Sequence, residues 1–152
     1  MESVLIANRG EIAVRIIRTC KKLGLHSIAI YSEADKDAYY TKIADQAVCI
    51  GPAKAEKSYL NIDGIITVAK VYNACAIHPG IGFLSENSDF QRACQEAGII
   101  FIGPDARSMD LLGDKAKARQ LMIENNIPFP IVSDSEIKNY EEAKKLADKI
   151  GY

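Results

Sequence analysis

The chain has 152 residues, with 19 Lys and Arg against 20 Asp and Glu for a net charge of −1, and 48% of it is hydrophobic. That length suits one domain, or one and the opening of another, and lets roughly 68–70% of the unfolded surface be buried without a metal or disulfide staple. The even charge balance argues against nucleic acid as a partner, which calls for a basic excess or stripe. The apolar runs fall far short of the ~20 residues of a membrane span.

Strand-like and helix-like segments alternate from the N-terminus. Residues 4–7 form a short continuous apolar run, the pattern of a parallel strand buried on both faces. From Glu11 the period lengthens: Ile12, Ile16, Cys20 and Leu23 recur at helical spacing, Ile17 widens the face, and Gly24 stops the helix. Residues 27–31 read as a second strand, and the polar stretch 32–37 leads to a helical turn within 39–45. Residues 46–50 give a third strand, stopped by Gly51-Pro52. Ile62, Ile65, Ile66 and Ala69 share a helical face behind a cap at Ser58 or Asn61. Residues 74–77 read as a fourth strand that runs into a turn-rich loop, 78–87. Ser88 and Gln91 pattern as a capping box for the next helix, which ends near Gly98. A fifth strand, 99–102, is stopped by Gly103-Pro104. Two helices, 105–112 and 114–125, follow, split at Gly113. Pro128 and Pro130 mark a linker, and Asn139 with Glu142 caps a last amphipathic helix.

Strands alternating with helices over short connections imply βαβ units. The expected fold is α/β: a doubly wound, parallel, five-stranded, Rossmann-like sheet over residues 1–104, with a helical extension over 105–152 that opens a further module. The four cysteines, Cys20, Cys49, Cys75 and Cys94, form no metal-ligand pattern and have apolar neighbours, so they read as small core residues in a reduced compartment. With no secretory signal at the start, a cytoplasmic location is expected; a mitochondrial matrix location requires that a transit peptide has been removed.

In an open parallel sheet ligands bind at the carboxyl ends of the strands. Two segments stand there. Asn8-Arg9-Gly10-Glu11 opens the first helix, whose free N–H groups suit an anion, but the dinucleotide pattern GxGxxG is absent, so an NAD or FAD reading loses its support. The loop from His78 to Asn87 holds two glycines around Ile81, which allow close ligand approach. It serves a ligand, or His78 and Ser85 to Asn87 only tie the loop and cap the next helix. Ser85, His78 and Asp89 lie too close in sequence for a nucleophilic triad, and His26 and His78 have no acidic partner at ligand spacing. Lys115 sits in the first turn of a helix, where the dipole disfavours a cation unless it holds an anion such as phosphate.

Several longer segments together carry a resemblance: residues 7–13 (ANRGEIA), 50–52 (IGP), 58–62 (SYLNI), 78–87 (HPGIGFLSEN), and 101–104 (FIGP) through Gly113-Asp114-Lys115. Over essentially the whole chain, in order, they resemble the N-terminal part of biotin carboxylase, as found in acetyl-CoA, propionyl-CoA and pyruvate carboxylases. The resemblance implies a parallel pre-ATP-grasp sheet preceding an ATP-grasp module. It also implies an ATP-dependent ligase that activates bicarbonate with MgATP as carboxyphosphate and carboxylates biotin on a carrier protein, in fatty acid biosynthesis among other pathways. It implies that Lys115 contacts the ATP phosphates, that Ile81, Gly82 and Glu86 border the biotin pocket, and that Arg15 and Arg18 lie at a homodimer interface. The implied partners of the complete enzyme are the biotin carboxyl carrier protein and the carboxyltransferase, with neither nucleic acid nor membrane.

This chain departs from the family pattern in having Ile81 where a tyrosine is common and Lys22 where an acid is common. The ATP-grasp residues that hold Mg²⁺, the second ATP lysine and the bicarbonate-binding groups are not in this sequence. The polypeptide alone is therefore expected to be catalytically silent and to hold no tightly bound cofactor, since one lysine cannot perform phosphoryl transfer. The alternative is a non-catalytic dimerisation or docking module of the same fold.

Overall fold

The structure is a computed structural model that describes residues 2–128 and 137–151. It divides into two compact units, one ending at Gly113 and one beginning at Asp114. The first is built on a five-stranded parallel sheet: β1 (Ser3–Ile6), β2 (His26–Ser32), β3 (Gln46–Gly51), β4 (Ala76–His78) and β5 (Ile100–Phe101), in the spatial order β3-β2-β1-β4-β5. Helices α1 (Gly10–Lys22), α2 (Tyr39–Ile43), α3 (Ile62–Val71), α4 (Ser88–Glu96) and α5 (Ala106–Gly113) complete it. The second unit contains α6 (Lys115–Glu124) and α7 (Tyr140–Ile150).

The central strand explains its own composition. Side chains alternate across a strand, so Val4 and Ile6 pack with Ala13, Ile16, Ile17 and Cys20 of α1 and Tyr40 of α2. Leu5 and Ala7 face the other way, against Ile65 and Ala69 of α3 and Phe90 and Cys94 of α4. Both faces are covered, which is why β1 shows no polar alternation. Each fully buried Leu or Ile here contributes about 1.5–3 kcal/mol.

The chain winds outward from β1 through β2 to β3, then crosses back to place β4 on the other side of β1. The reversal puts a topological switch point between the carboxyl ends of β1 and β4, the place where open α/β sheets form ligand crevices. The turn after β1 and the loop after β4 thereby become neighbours.

Local chemistry moved several boundaries from their expected places. The fourth strand starts at Ala76 rather than at 74, because α3 ends through Asn73 in the left-handed region (φ +52°), with the Ala74 N–H donating to Ala69 O at 2.8 Å. That helix closure uses Ala74, whose apolar character suggested strand, while Cys75 N donates to Ser3 O and Cys75 O accepts from Ile100 N. The cap of α4 is Asn87 and not Ser88: the Asn87 Oδ1 accepts from Phe90 N at 2.8 Å, while Ser88, the first helical residue, accepts from Arg92 at 3.1 Å. Asn61 caps α3 through Gly64 N, whereas the Ser58 hydroxyl donates to Lys54 O.

Only Cys20 and Cys94 are core residues; Cys49 and Cys75 are exposed. Cys49 lies on β3, an edge strand with one unpaired side, so apolar neighbours there do not imply burial. At the other end, α7 is capped by Asn139, whose Oδ1 accepts from Glu142 N, while the Glu142 carboxylate accepts from Lys138 N. Pro130 lies outside the described residues.

Candidate functional site

The site is assembled at the switch point from the turn after β1 outward. The ladder runs one bond past β1, with Ala7 N donating to His78 O at 2.9 Å, and the chain then turns through Asn8 into α1. Asn8 is buried. Its amino group donates to Pro79 O at 2.7 Å and Ile81 O at 2.9 Å, and its carbonyl oxygen accepts from Arg9 N at 2.9 Å. Two acceptors on one side and a donor on the other fix the amide's orientation. The side chain clasps the β4 loop to the β1 turn.

The loop approaches closely enough that Gly80, at φ +70°, has no room for a side chain: an added Cβ would lie 2.6 Å from Asn8 Nδ2 and 2.7 Å from Ile12 Cγ2. Gly82 also has a left-handed φ, +72°, but faces open space. Ile81 between them is 74% exposed. The His78 imidazole accepts from Gly80 N at 3.0 Å, and its burial pushes its pKa below the ordinary value, leaving the ring neutral at pH 7. Tying the loop is the role the structure shows for His78.

A second cluster braces the same crevice from the β2 side. The Arg9 guanidinium donates through Nε and Nη2 to both oxygens of the buried Asp35, a bidentate pair. The Tyr59 hydroxyl donates to Asp35 Oδ2 at 2.6 Å and accepts from Ser32 N at 2.9 Å. The Ser32 hydroxyl also reaches Asp35, at 3.3 Å, and the Tyr40 hydroxyl lies 3.0 Å from that of Tyr59. The Tyr59 ring stacks on Phe83 of the loop, with centroids 5.0 Å apart and planes at 22°. Hydrogen bonds from Arg9 hold the Asp35 carboxyl below the usual carboxylate range, with smaller contributions from Tyr59 and Ser32. Burial and the adjoining Asp35 carboxylate raise Tyr59, and burial raises Tyr40.

The Asp35 pair implies an acid sensitivity with a defined sign. A carboxyl whose pKa is depressed by folding contributes stability above its unfolded pKa and loses it as pH falls through the folded one. Asp35→Asn is expected to cost about 1–2 kcal/mol at pH 7, the pair being partly screened because the Arg9 side chain is half exposed. The gap to the unsubstituted chain should narrow below about pH 4. Urea unfolding from pH 3 to 7 measures it, and a gap that stays constant with pH would refute this account.

The residues singled out from the sequence fall in three places. Ile81, Gly82 and Glu86 share the exposed loop at the switch point. Arg15 and Ile81 line one apolar groove of about 460 Å³ with Ile12, Ile16, Leu23 and Ile102, and Arg18 is exposed on the same helix. Glu86 also borders a hollow of about 390 Å³ with Pro104, Met109 and Leu112. Lys115 is the exposed first residue of α6, in the second unit, on a helix whose Asp114 accepts from Lys117 N. The clasp by Asn8 and the group Ser32, Asp35, Tyr40 and Tyr59 were not foreseen in their roles. No local spacing joins residues from four stretches of chain, and the polar segment 32–37 reads simply as a connection.

The backbone at Ile81 and Gly82 is open to solvent. Among the described residues no group of three or more His, Cys, Asp or Glu could hold a divalent cation. No helix of the described residues is long and apolar enough to cross a membrane.

Known proteins share the fold of this chain. A family model, that of the biotin carboxylase N-terminal domain, matches residues 1–109. Biotin carboxylase 1 of Bacillus subtilis is 50% identical over 152 residues, covering 100% of this chain and 34% of the relative. The human mitochondrial propionyl-CoA carboxylase alpha chain is 45% identical over 151 residues, 99% of this chain and 21% of that protein. Among solved structures, the biotin carboxylase domain dimer of Hydrogenobacter thermophilus 2-oxoglutarate carboxylase, in complex with MgADP, ADP and bicarbonate, superposes with a TM-score of 0.86. It is 47% identical, over 99% of this chain and 33% of that one. The chain thus spans about a third of the length of the first of these relatives.

Proposed function

Because the chain belongs to the biotin carboxylase family, we propose that it serves as the N-terminal unit of an ATP-dependent ligase that makes carboxybiotin from MgATP, bicarbonate and biotin on a carrier protein. The observation that carries the reading is the Asn8 clasp, which presents the Ile81–Gly82 backbone at the β1/β4 switch point. In this reading Ile81, Gly82 and Glu86 border the biotin ring system, and Lys115 contributes a cation toward the ATP phosphates. Arg15 and Arg18 lie on a surface used by a second copy. The carrier protein and a carboxyltransferase are the partners, the cytoplasm is the compartment, and fatty acid biosynthesis is one destination of the carboxyl group. Phosphoryl transfer rests on positioning and charge neutralisation, and residues 1–152 supply only part of what that needs.

The test uses the gene read to its natural stop. ADP formation from MgATP and bicarbonate is followed with and without free biotin, for that protein and for residues 1–152 side by side. Biotin-dependent turnover by the long protein only is the expected result. Silence of the long protein, or a reading frame that closes after Tyr152, would replace this reading with that of a docking module. The apolar groove along α1, with the exposed Leu23 and Ile81, gives such a module its surface.

A further inference from the structure

The loop at residues 80–86 is held at two points. Asn8 fixes its first limb through Pro79 O and Ile81 O. The second limb carries Phe83 at φ +46°, a left-handed conformation unfavourable for an aromatic residue. Such a conformation persists only where its surroundings over-determine it. The ring contact recorded for Phe83 is the stack on Tyr59. Tyr59 is itself immobilised: its ring is buried, and its hydroxyl bonds Asp35, Ser32 N and Tyr40. The Asp35 carboxylate in turn grips Arg9, one residue beyond Asn8. Both limbs are therefore referred to the turn after β1.

We propose that Tyr59 is a positioning residue: its hydrogen-bonded ring sets the conformation of Phe83, and through it the presentation of the Ile81–Gly82 backbone to the carboxyl acceptor. The acceptor-facing role of the loop rests on the reading above; the structural coupling of Tyr59 to the loop does not. The ring and the hydroxyl do separable work. The ring supplies the stack, and the hydroxyl keeps the ring in register with Asp35. Tyr59→Phe preserves the stack and removes the hydroxyl, while Tyr59→Leu removes both.

Two readouts test this on the protein expressed to its natural stop. The first is amide exchange at Ser85 and Asn87, whose N–H groups donate within the loop to Gly82 O and Leu84 O. The second is steady-state kinetics with biotin and ATP varied separately. An aromatic pair corresponds to up to about a tenfold change in an equilibrium. Tyr59→Leu is expected to speed exchange at Ser85 and Asn87 by about that factor, with the β2 amides unchanged apart from Ser32, whose N–H loses the Tyr59 hydroxyl, and to raise KM for biotin by up to about tenfold. KM for ATP should stay within about twofold. Tyr59→Phe should recover most of both effects. Exchange at Ser85 and Asn87 unchanged by Tyr59→Leu would overturn the coupling. So would a general rise across the β2 amides, or equal rises in both KM values. If the unsubstituted protein shows no biotin-dependent turnover, the functional reading fails by itself, and the exchange experiment still decides the role of Tyr59.

Discussion

Gly80→Ala is expected to lower the unfolding free energy by about 2–5 kcal/mol, combining about 1–2 for a left-handed alanine with about 1–3 for overpacking. The overpacking arises because the added methyl would sit 2.6 Å from the Asn8 amide and 2.7 Å from the Ile12 methyl, at a buried junction. Asn8 cannot retreat without breaking its bonds to Pro79 and Ile81, and Ile12 is anchored in α1. Gly82→Ala is the internal control: its φ, +72°, matches the +70° of Gly80, but nothing lies within 4 Å of the added carbon. It should cost only the conformational part, about 1–2 kcal/mol. Urea unfolding of the two variants in parallel isolates the contact contribution, and equal losses would show that the loop is not closely seated on Asn8.

Asn8→Asp is the second large effect, and pH gives it a signature. The substitution replaces an amino group that donates to Pro79 O and Ile81 O with a carboxylate oxygen facing the same two carbonyls. An ionised acceptor set against acceptors, and buried, is expected to cost about 3–5 kcal/mol at pH 7. A protonated carboxyl can donate one of the lost bonds, so folding raises this group's pKa above its unfolded value of about 3.9. The sign follows: the deficit is full above the folded pKa and shrinks as pH falls through it. Asn8→Ala loses the same bonds without introducing charge, about 2–3 kcal/mol, and its deficit should not vary with pH. Unfolding free energies of both variants between pH 4 and 8 provide the measurement. Parallel pH profiles would mean that the introduced carboxylate had turned away to solvent.

Much of the architecture could be read in advance, because its signals are local. The apolar run at residues 4–7, the helical spacing of Ile12, Ile16 and Cys20, and the Gly-Pro stops after the third and fifth strands are each decided within a few residues of chain. Expectation and structure part where two local signals compete. Asn87 and Ser88 can both cap a helix, and the longer Asn side chain reaches Phe90 N. Ala74 is apolar, but the left-handed Asn73 draws it into the closure of α3. The candidate site divides in the same way. The turn at Asn8 and the loop at 78–87 stand out by composition and by the place strand ends occupy in parallel sheets. The bracing group of Arg9, Ser32, Asp35, Tyr40 and Tyr59 comes together only in three dimensions: Arg9 and Tyr59 lie in segments that stand out, but nothing in the sequence joins them to Asp35.

The pairing of β1 also sets an order of events while the chain is being made. Val4 pairs with Ser27 on one side and with Ala76 on the other. The first partner lies within a single βαβ unit, whereas the second arrives only after three further elements of the sheet domain have been synthesised. The Asn8 clasp spans 71 and 73 residues. At a translation rate of about 5–20 residues per second, Asn8 waits for several seconds with its amide in water while β1 and β2 can already associate. The crevice is thus among the last parts of the sheet domain to form, and nascent chains arrested before residue 79 should protect the β1–β2 amides while leaving the turn at Asn8 free to exchange.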